Sequence, residues 1–244
     1  MLSEVPVIAR SDIPALTTAQ MVEVDRLMVA EYHIQIIQMM ENAGRNLADL
    51  VQIMLGGEVQ DRPILILAGR GNNGGGGLAA TRHLANRGAD VQVMLAHPME
   101  AFSGLSEQQL QTLLAMGVSV TTAGDGWELP SADIIIDALI GYGLDGNPRP
   151  SIAGLIQLAN SHPAPILSLD APSGLDAGQG RVYDPCISAA ATMTLALPKQ
   201  GLYRARAVVG DLYLADISVP LTLYEDLNID LPPLFATAPL VRVI

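Results

Sequence analysis

The sequence predicts an α/β protein: a parallel sheet with helices on both faces. Three observations lead there. Strand-like and helix-like segments alternate through most of the chain, which is the pattern of a parallel sheet crossed over by helices. Several strand segments are short, continuous apolar runs, as in strands buried on both faces. Half of the 244 residues are hydrophobic but only 4% are aromatic, so the core is aliphatic. The length suits one domain (1–244), with N-terminal helices (1–60), an α/β core (61–220) and a C-terminal arm (221–244).

The elements follow in order. Thr17 and Gln20 have capping-box spacing, and Met21, Val24, Leu27 and Met28 then share a helical stripe. A second helix fits "QIIQMMENAGRNLADLVQIMLGG", with Ile36, Met40, Ala43, Leu47, Leu50 and Met54 inward and Gly56–Gly57 at its end. "PILILAG" (Pro63–Gly69) is a buried strand. A glycine loop follows, then a helix to about Arg87 capped by Gly88. "DVQVMLA", "VSVTT", "DIIIDALI" and "APILSLD" read as further strands, with helices at "SEQQLQTLLAMG" and at about Ser151–Asn160. "ATMTLAL" and "GDLYLAD" are strands at the far edge of the sheet, and the tail after Pro220 is an irregular arm.

Composition narrows the function. A net charge of −12 disfavours a nucleic-acid-binding face or an anionic membrane surface as partner. The single cysteine, Cys186, can form no intrachain disulfide, which fits a reducing compartment. The start "MLSEVPVIARSD" lacks a signal-peptide pattern, and no apolar run is long enough to span a bilayer, so a cytoplasmic protein is expected.

Two glycine turns carry the chemistry. Six glycines crowd into Gly69–Gly77, and Gly69, Gly71 and Gly74 satisfy G-x-G-x-x-G between a strand and a helix. There, bare backbone lets N–H groups approach phosphate oxygens, and the helix N-terminus adds partial positive charge. The plainer reading is a tight turn that needs positive φ. Gly141, Gly143 and Gly146 repeat the pattern after "DIIIDALI". Two such turns at neighbouring strand ends would share one ligand crevice. An ATPase-type loop is excluded because no Gly-Lys-Ser/Thr follows the glycines. An ordinary nicotinamide dehydrogenase is disfavoured because the second strand ends in Ala96, His97 and Pro98, not in a ribose-binding acid.

The charged residues leave alternatives open. Asp137, inside an apolar strand, is either a carboxylate held by loop amides or an oxygen ligand for an alkali or alkaline-earth ion, with Asn73 and Ser173. Asp170 ends a strand, where it either faces the crevice or caps a turn, and Asp176 reads as a turn residue. Lys199 is the only lysine among 13 basic residues. It marks either a need for a compact ammonium or chance. The four histidines are scattered, and no nucleophile–base constellation or zinc spacing is evident.

These landmarks together resemble the NAD(P)H-hydrate epimerase family, the YjeF N-terminal fold. The similarity runs through "LTTAQMVEVDRLMVAEY", "MMENAGRNLADL", "GRGNNGGGGLAATRHL", "DALIGYGL", "LSLDAPSGLD", "TLALPK" and "GDLYLADISVP", in that order along nearly the whole chain. The resemblance implies a Rossmann-like three-layer αβα sandwich with a mostly parallel sheet, usually dimeric. It implies exchange of the R and S forms of hydrated NADH and NADPH, cofactors damaged by a hydroxyl on ring carbon C6, with a potassium ion (K+). By motif position, Asn73, Asp137 and Ser173 would hold that ion. The dinucleotide would meet Asn72, Asn73, Gly74, Gly75 and Gly76, then Gly141, Tyr142, Gly143, Leu144, Asp145, Gly146 and Asn147, and Asp170 would sit at the reacting ring. A separate hydrate dehydratase would act on the product. The family loop commonly reads Asn-Asn-Gly-Gly-Asp-Gly, and here Gly76 replaces its aspartate. That departure sustains an alternative: a non-catalytic nucleotide-binding or dimeric scaffold module on the same fold.

Overall fold

The computed structural model describes residues 5–124, 126 and 128–244. Residues 1–4 of the stretch read as lacking a signal peptide lie outside the described residues. The two N-terminal helices form as their caps and stripes direct. In α1 (Thr18–Ala30), Gln20 N donates to Thr17 Oγ1 and Thr17 N donates to Gln20 Oε1, and all four expected core residues are buried. In α2 (Ile36–Met54), Met40, Ala43, Leu47 and Leu50 are buried. Its end residues differ from expectation: Met54 is half-buried, and Ile36 is exposed, lining a cavity described below.

Among the described residues nine strands form one sheet, in the order β1-β9-β8-β7-β6-β5-β2-β3-β4. The strands are β1 (Val7–Ile8), β2 (Pro63–Ala68), β3 (Asp90–Leu95), β4 (Ser119–Thr122), β5 (Ile134–Ala138), β6 (Ile166–Leu169), β7 (Ala191–Leu195), β8 (Asp211–Ala215) and β9 (Leu240–Val243). Among the described residues every pairing is parallel except β8 with β9. Strand alternation divides the core. Ile64, Ile66 and Ala68 of β2 join one apolar cluster with α2, α3 (Asn72–Asn86) and α4 (Gly104–Ala115). Leu65 and Leu67 join another with α5 (Pro150–Ser161). Those two faces make the three-layer sandwich. A third cluster joins α1 to the short helices α6 (Gln200–Arg204), α7 (Arg206–Val209) and α8 (Leu221–Asp226) and to β8 and β9. No helix among the described residues is long and apolar enough to cross a membrane.

Two expectations need correction. The C-terminal arm is not irregular throughout. It contains α8, and β9 lies between β8 and β1, so β7 and β8 are interior strands. "LVRV" is too short to show a period, and its place is set by pairing with β8 on one side and β1 on the other. Nor is the glycine stretch a loop that precedes a helix. Helix α3 begins at Asn72, so Asn72–Gly77 are its first turns. Glycine weakens a helix by about 1 kcal/mol relative to alanine, but close packing here outweighs propensity. An added Cβ would stand 2.6 Å from Met40 Cε at Gly75 and 2.5 Å from Ala138 Cβ at Gly77. The bare turns let α3 lie directly against β5 and α2.

These two effects predict opposite signs for Gly77→Ala. Helix propensity favours the alanine by about 1 kcal/mol, whereas overpacking costs roughly 1–3 kcal/mol. The contact with Ala138 has no flexible partner, so net destabilisation is expected, read as a lower urea midpoint; a raised midpoint would contradict this packing.

Candidate active site

The sheet order places the site. From β2 the chain winds outward through β3 and β4, then returns to put β5 on the other side of β2. The carboxyl ends of β2 and β5 therefore flank a topological switch point, where α/β folds bind ligands. The two glycine turns meet there. Gly69 N donates to Ala138 O at 3.0 Å. A Cβ on Gly69 would lie 2.1 Å from Leu139 O, so only bare backbone fits.

Above this contact opens a cavity of about 540 Å³, within the range of small-molecule sites. From the first turn it is lined by Gly71, Asn72, Asn73 and Gly76, and from the second by Gly141, Tyr142 and Gly143. Gly71 is the N-cap of α3 and supplies no side-chain cap. The first intrahelical bond runs from Gly75 N to Gly71 O, so the N–H groups of Asn72 and Asn73, both cavity-lining, precede the helix's own ladder. These donors and the helix dipole give a strongly acidic chain a local place for an anion.

Other residues expected at the dinucleotide lie outside this lining. Gly74 and Gly75 are buried in the packing of α3, and a Cβ on Gly74 would overlap Gly69 O at 1.7 Å. Leu144, Asp145, Gly146 and Asn147 continue the second turn away from the cavity wall, and Asn147 Oδ1 accepts from Asp184 N at 3.5 Å. Gly76 does line the cavity, and its Cβ position is 2.9 Å from Leu169 Cδ2. A side chain at this position would therefore project at the cavity wall.

Asp170 lies in the cavity wall just past β6. Its backbone has φ 69°, a left-handed conformation that aspartate tolerates better than most residues. Asp170 N donates to Met193 O at 2.7 Å, fixing the turn. Its Oδ1 accepts from Lys199 Nζ at 2.5 Å and its Oδ2 from Tyr142 N at 2.9 Å. Lys199 is fully buried and also donates to Thr194 Oγ1 and Leu195 O. The lone lysine is thus a compact ammonium with three acceptors, all within the fold.

Asp137 is a fully buried carboxylate on β5. It accepts from Ser168 Oγ, from the amide and hydroxyl of Ser173, and from Leu139 N. Burial raises its pKa and these donors oppose the rise. No cationic side chain pairs with it among the described residues. Asn73 has a buried Nδ2 with no partner, and its side chain lies 3.4 Å from the Cβ position of Gly141.

The sequence reading missed Asp25. It lines the cavity from α1, and Tyr142 Oη donates to its Oδ2 at 2.5 Å. Asp25 stands four residues after Met21 and three before Met28, so a carboxylate shares the buried stripe of an amphipathic helix. That was the available signal. At Cys186, burial and nearby Asp137 push the thiol up to about 12.

Residues 36–201 match the family model described as YjeF-related protein N-terminus. The chain belongs to this family. A relative named "NAD(P)H-hydrate epimerase" in Dehalogenimonas lykanthroporepellens is 43% identical over 87% of this chain and 85% of its own length. One named "Bifunctional NAD(P)H-hydrate repair enzyme Nnr" in Moorella thermoacetica is 39% identical over 84% of this chain, which spans 40% of that longer protein. Among solved structures, yeast ynu0 superposes with a TM-score of 0.82 at 23% identity, covering 94% of this chain and all of the yeast chain. The YjeF N-terminal fold expected from the sequence is therefore the fold observed.

The buried ion pair yields a stability prediction. Lys199→Met should leave Asp170 as an uncompensated buried charge and lower unfolding free energy by about 3–5 kcal/mol. Urea denaturation at neutral pH measures it; an unchanged midpoint would mean that the pair carries no such weight.

Proposed function

We propose that this protein exchanges the R and S forms of hydrated NADH and NADPH, an isomerase reaction in nicotinamide cofactor repair. The observation that carries this reading is that both glycine turns and Asp170 open onto one cavity. A dinucleotide needs an anion seat and a ring seat within reach of each other. The N-terminus of α3 suits the pyrophosphate, and Asp170 suits the nicotinamide ring. The naming of the Dehalogenimonas relative supports the substrate class.

The chemistry needs little machinery. The hydroxyl-bearing C6 stands beside N1, whose lone pair assists departure of the hydroxyl as water. The resulting ring carries positive charge, and water returns from either face. A carboxylate fixed beside the ring stabilises that charge more than it stabilises the ground state. Asp170 fits this role because Lys199 and the Tyr142 amide lock its position before substrate arrives. Replacement of the family's loop aspartate by Gly76 removes a side chain from the wall, not the backbone donors or Asp170. This favours the enzyme over a non-catalytic or dimeric scaffold module.

Potassium belongs to the same proposal. One carboxylate with neutral amide and hydroxyl oxygens is a donor set for a hard, singly charged cation. Asp137, Ser173 and Asn73 would hold it. The unpartnered Asn73 nitrogen supports this, because the reversed amide would present an oxygen at that position. A bound cation would offset the charge of the pyrophosphate and of Asp137. We also place the protein in the cytoplasm as a homodimer, with the hydrate dehydratase that removes the S form as a separate partner. The Moorella relative's name, repair by one bifunctional chain, supports that pairing of activities.

Chromatographic separation of the two hydrates tests the reading. R-to-S exchange should be catalysed, and more slowly when lithium replaces potassium at equal ionic strength. Asp170→Asn should lower exchange at least 10²-fold while dinucleotide binding persists. Binding by the wild type without any exchange would favour the scaffold reading, and undiminished turnover in Asp170→Asn would remove Asp170 from the chemistry.

A further inference from the structure

Among the described residues Asp170 is one of two carboxylates that line this cavity, and Tyr142 joins them. Its amide donates to Asp170 Oδ2 and its hydroxyl donates to Asp25 Oδ2. Their surroundings differ sharply. Both oxygens of Asp170 already accept from protein donors, one of them an ammonium. Asp25 meets a neutral phenol and no cation, and among the described residues its Oδ1 has no protein hydrogen bond. The reaction asks for two things that a single fixed carboxylate does not supply together. Positive charge on the ring must be stabilised, and a proton must be given to the departing hydroxyl.

We propose that Asp25 is the acid–base residue of the epimerisation, handing its proton to the C6 hydroxyl and recovering it from the returning water, while Asp170 stays a fixed counter-charge. This rests on the epimerase reading and assigns the proton that the reading leaves unassigned. The steps balance. The Asp25 carboxyl proton moves to the C6 oxygen, and the C6–O bond breaks with its electron pair leaving on water. The N1 lone pair forms the N1–C6 double bond. Water then attacks C6 from the other face, the π pair returns to N1, and the surplus proton returns to Asp25. No electrons are gained or lost, and the enzyme ends as it began.

The environment of Asp25 suits the task. Burial is the largest influence and raises its pKa, while the Tyr142 hydroxyl and the charge of Lys199 lower it and the charge of Asp170 raises it. Tyr224 on α8 also senses it, and burial holds that phenol above its ordinary value. Burial and Asp25 likewise raise the pKa of Tyr142, so its hydroxyl keeps its proton and acts as donor. A carboxyl raised by burial beside one whose oxygens already accept from an ammonium and an amide is the usual division between acid and counter-charge.

The test compares wild type, Asp25→Asn, Asp25→Glu and Tyr142→Phe in R-to-S exchange across pH, with thermal melting to verify folding. The acid form is required, so wild-type kcat should fall as pH rises through the raised pKa. Asp25→Asn should lower kcat about 10²–10⁴-fold with KM changed less than about three-fold, and should abolish that pH limb. Asp25→Glu should restore part of the rate and the limb. Tyr142→Phe removes a bond that favours the charged form, so the limb should move to higher pH. The proposal is overturned if Asp25→Asn keeps kcat within about three-fold of wild type, or loses rate with the limb unmoved. It is equally overturned if the limb stays in place in Tyr142→Phe. Failure of the epimerase reading looks different: the wild type itself would give no exchange at any pH.

Discussion

The contact between Gly69 and the Leu139 carbonyl is the constraint on which the site depends. Two parallel strands, β2 and β5, run side by side and end together, and the turns that leave them touch backbone to backbone. Any side chain at Gly69 would push the turns apart and open the floor of the cavity. The same economy of side chains continues into α3, whose glycines let the helix sit close to β5 with its N-terminus at the switch point. Position and charge thus come from one feature. The helix that must approach closely to pack is also the one whose first residues line the cavity.

Electrostatics supplies the second layer. In a chain of net charge −12, an anionic substrate cannot rely on a broad basic surface. Backbone donors at α3 provide one local source of positive potential, and the buried Lys199 another. The lysine has a cost: desolvating an ammonium is offset only because Asp170, Thr194 and Leu195 O accept from it. That network in turn fixes Asp170 in a left-handed backbone conformation at the cavity wall. The proposed ring seat is therefore oriented by the fold itself, which is how oriented charge is made effective in catalysis.

Much of this was legible from residues. Alternating strand and helix patterns gave the parallel sheet, and the two glycine turns pointed to one crevice because each followed a buried strand. Two things were not legible. Placement of "LVRV" as an inner strand depends on its pairing with both β8 and β1, which a four-residue segment does not encode by itself. The helical state of Asn72–Gly77 is set by contacts with Met40 and Ala138, against local propensity. At the site, Asp170 was visible at a strand end. Lys199 stood out only by its rarity, and its burial against Asp170 required the fold. Asp25 was overlooked although a carboxylate on the buried stripe of α1 is itself anomalous.

A crystal structure with bound NADPH, a stable stand-in for the hydrate, tests the central claim most directly. The account predicts pyrophosphate oxygens at hydrogen-bond distance, about 2.7–3.2 Å, from main-chain N–H groups at the start of α3, with the nicotinamide ring against Asp170. A dinucleotide seated elsewhere on the molecule, or one whose pyrophosphate lies away from α3 while the cavity stays open, would contradict it.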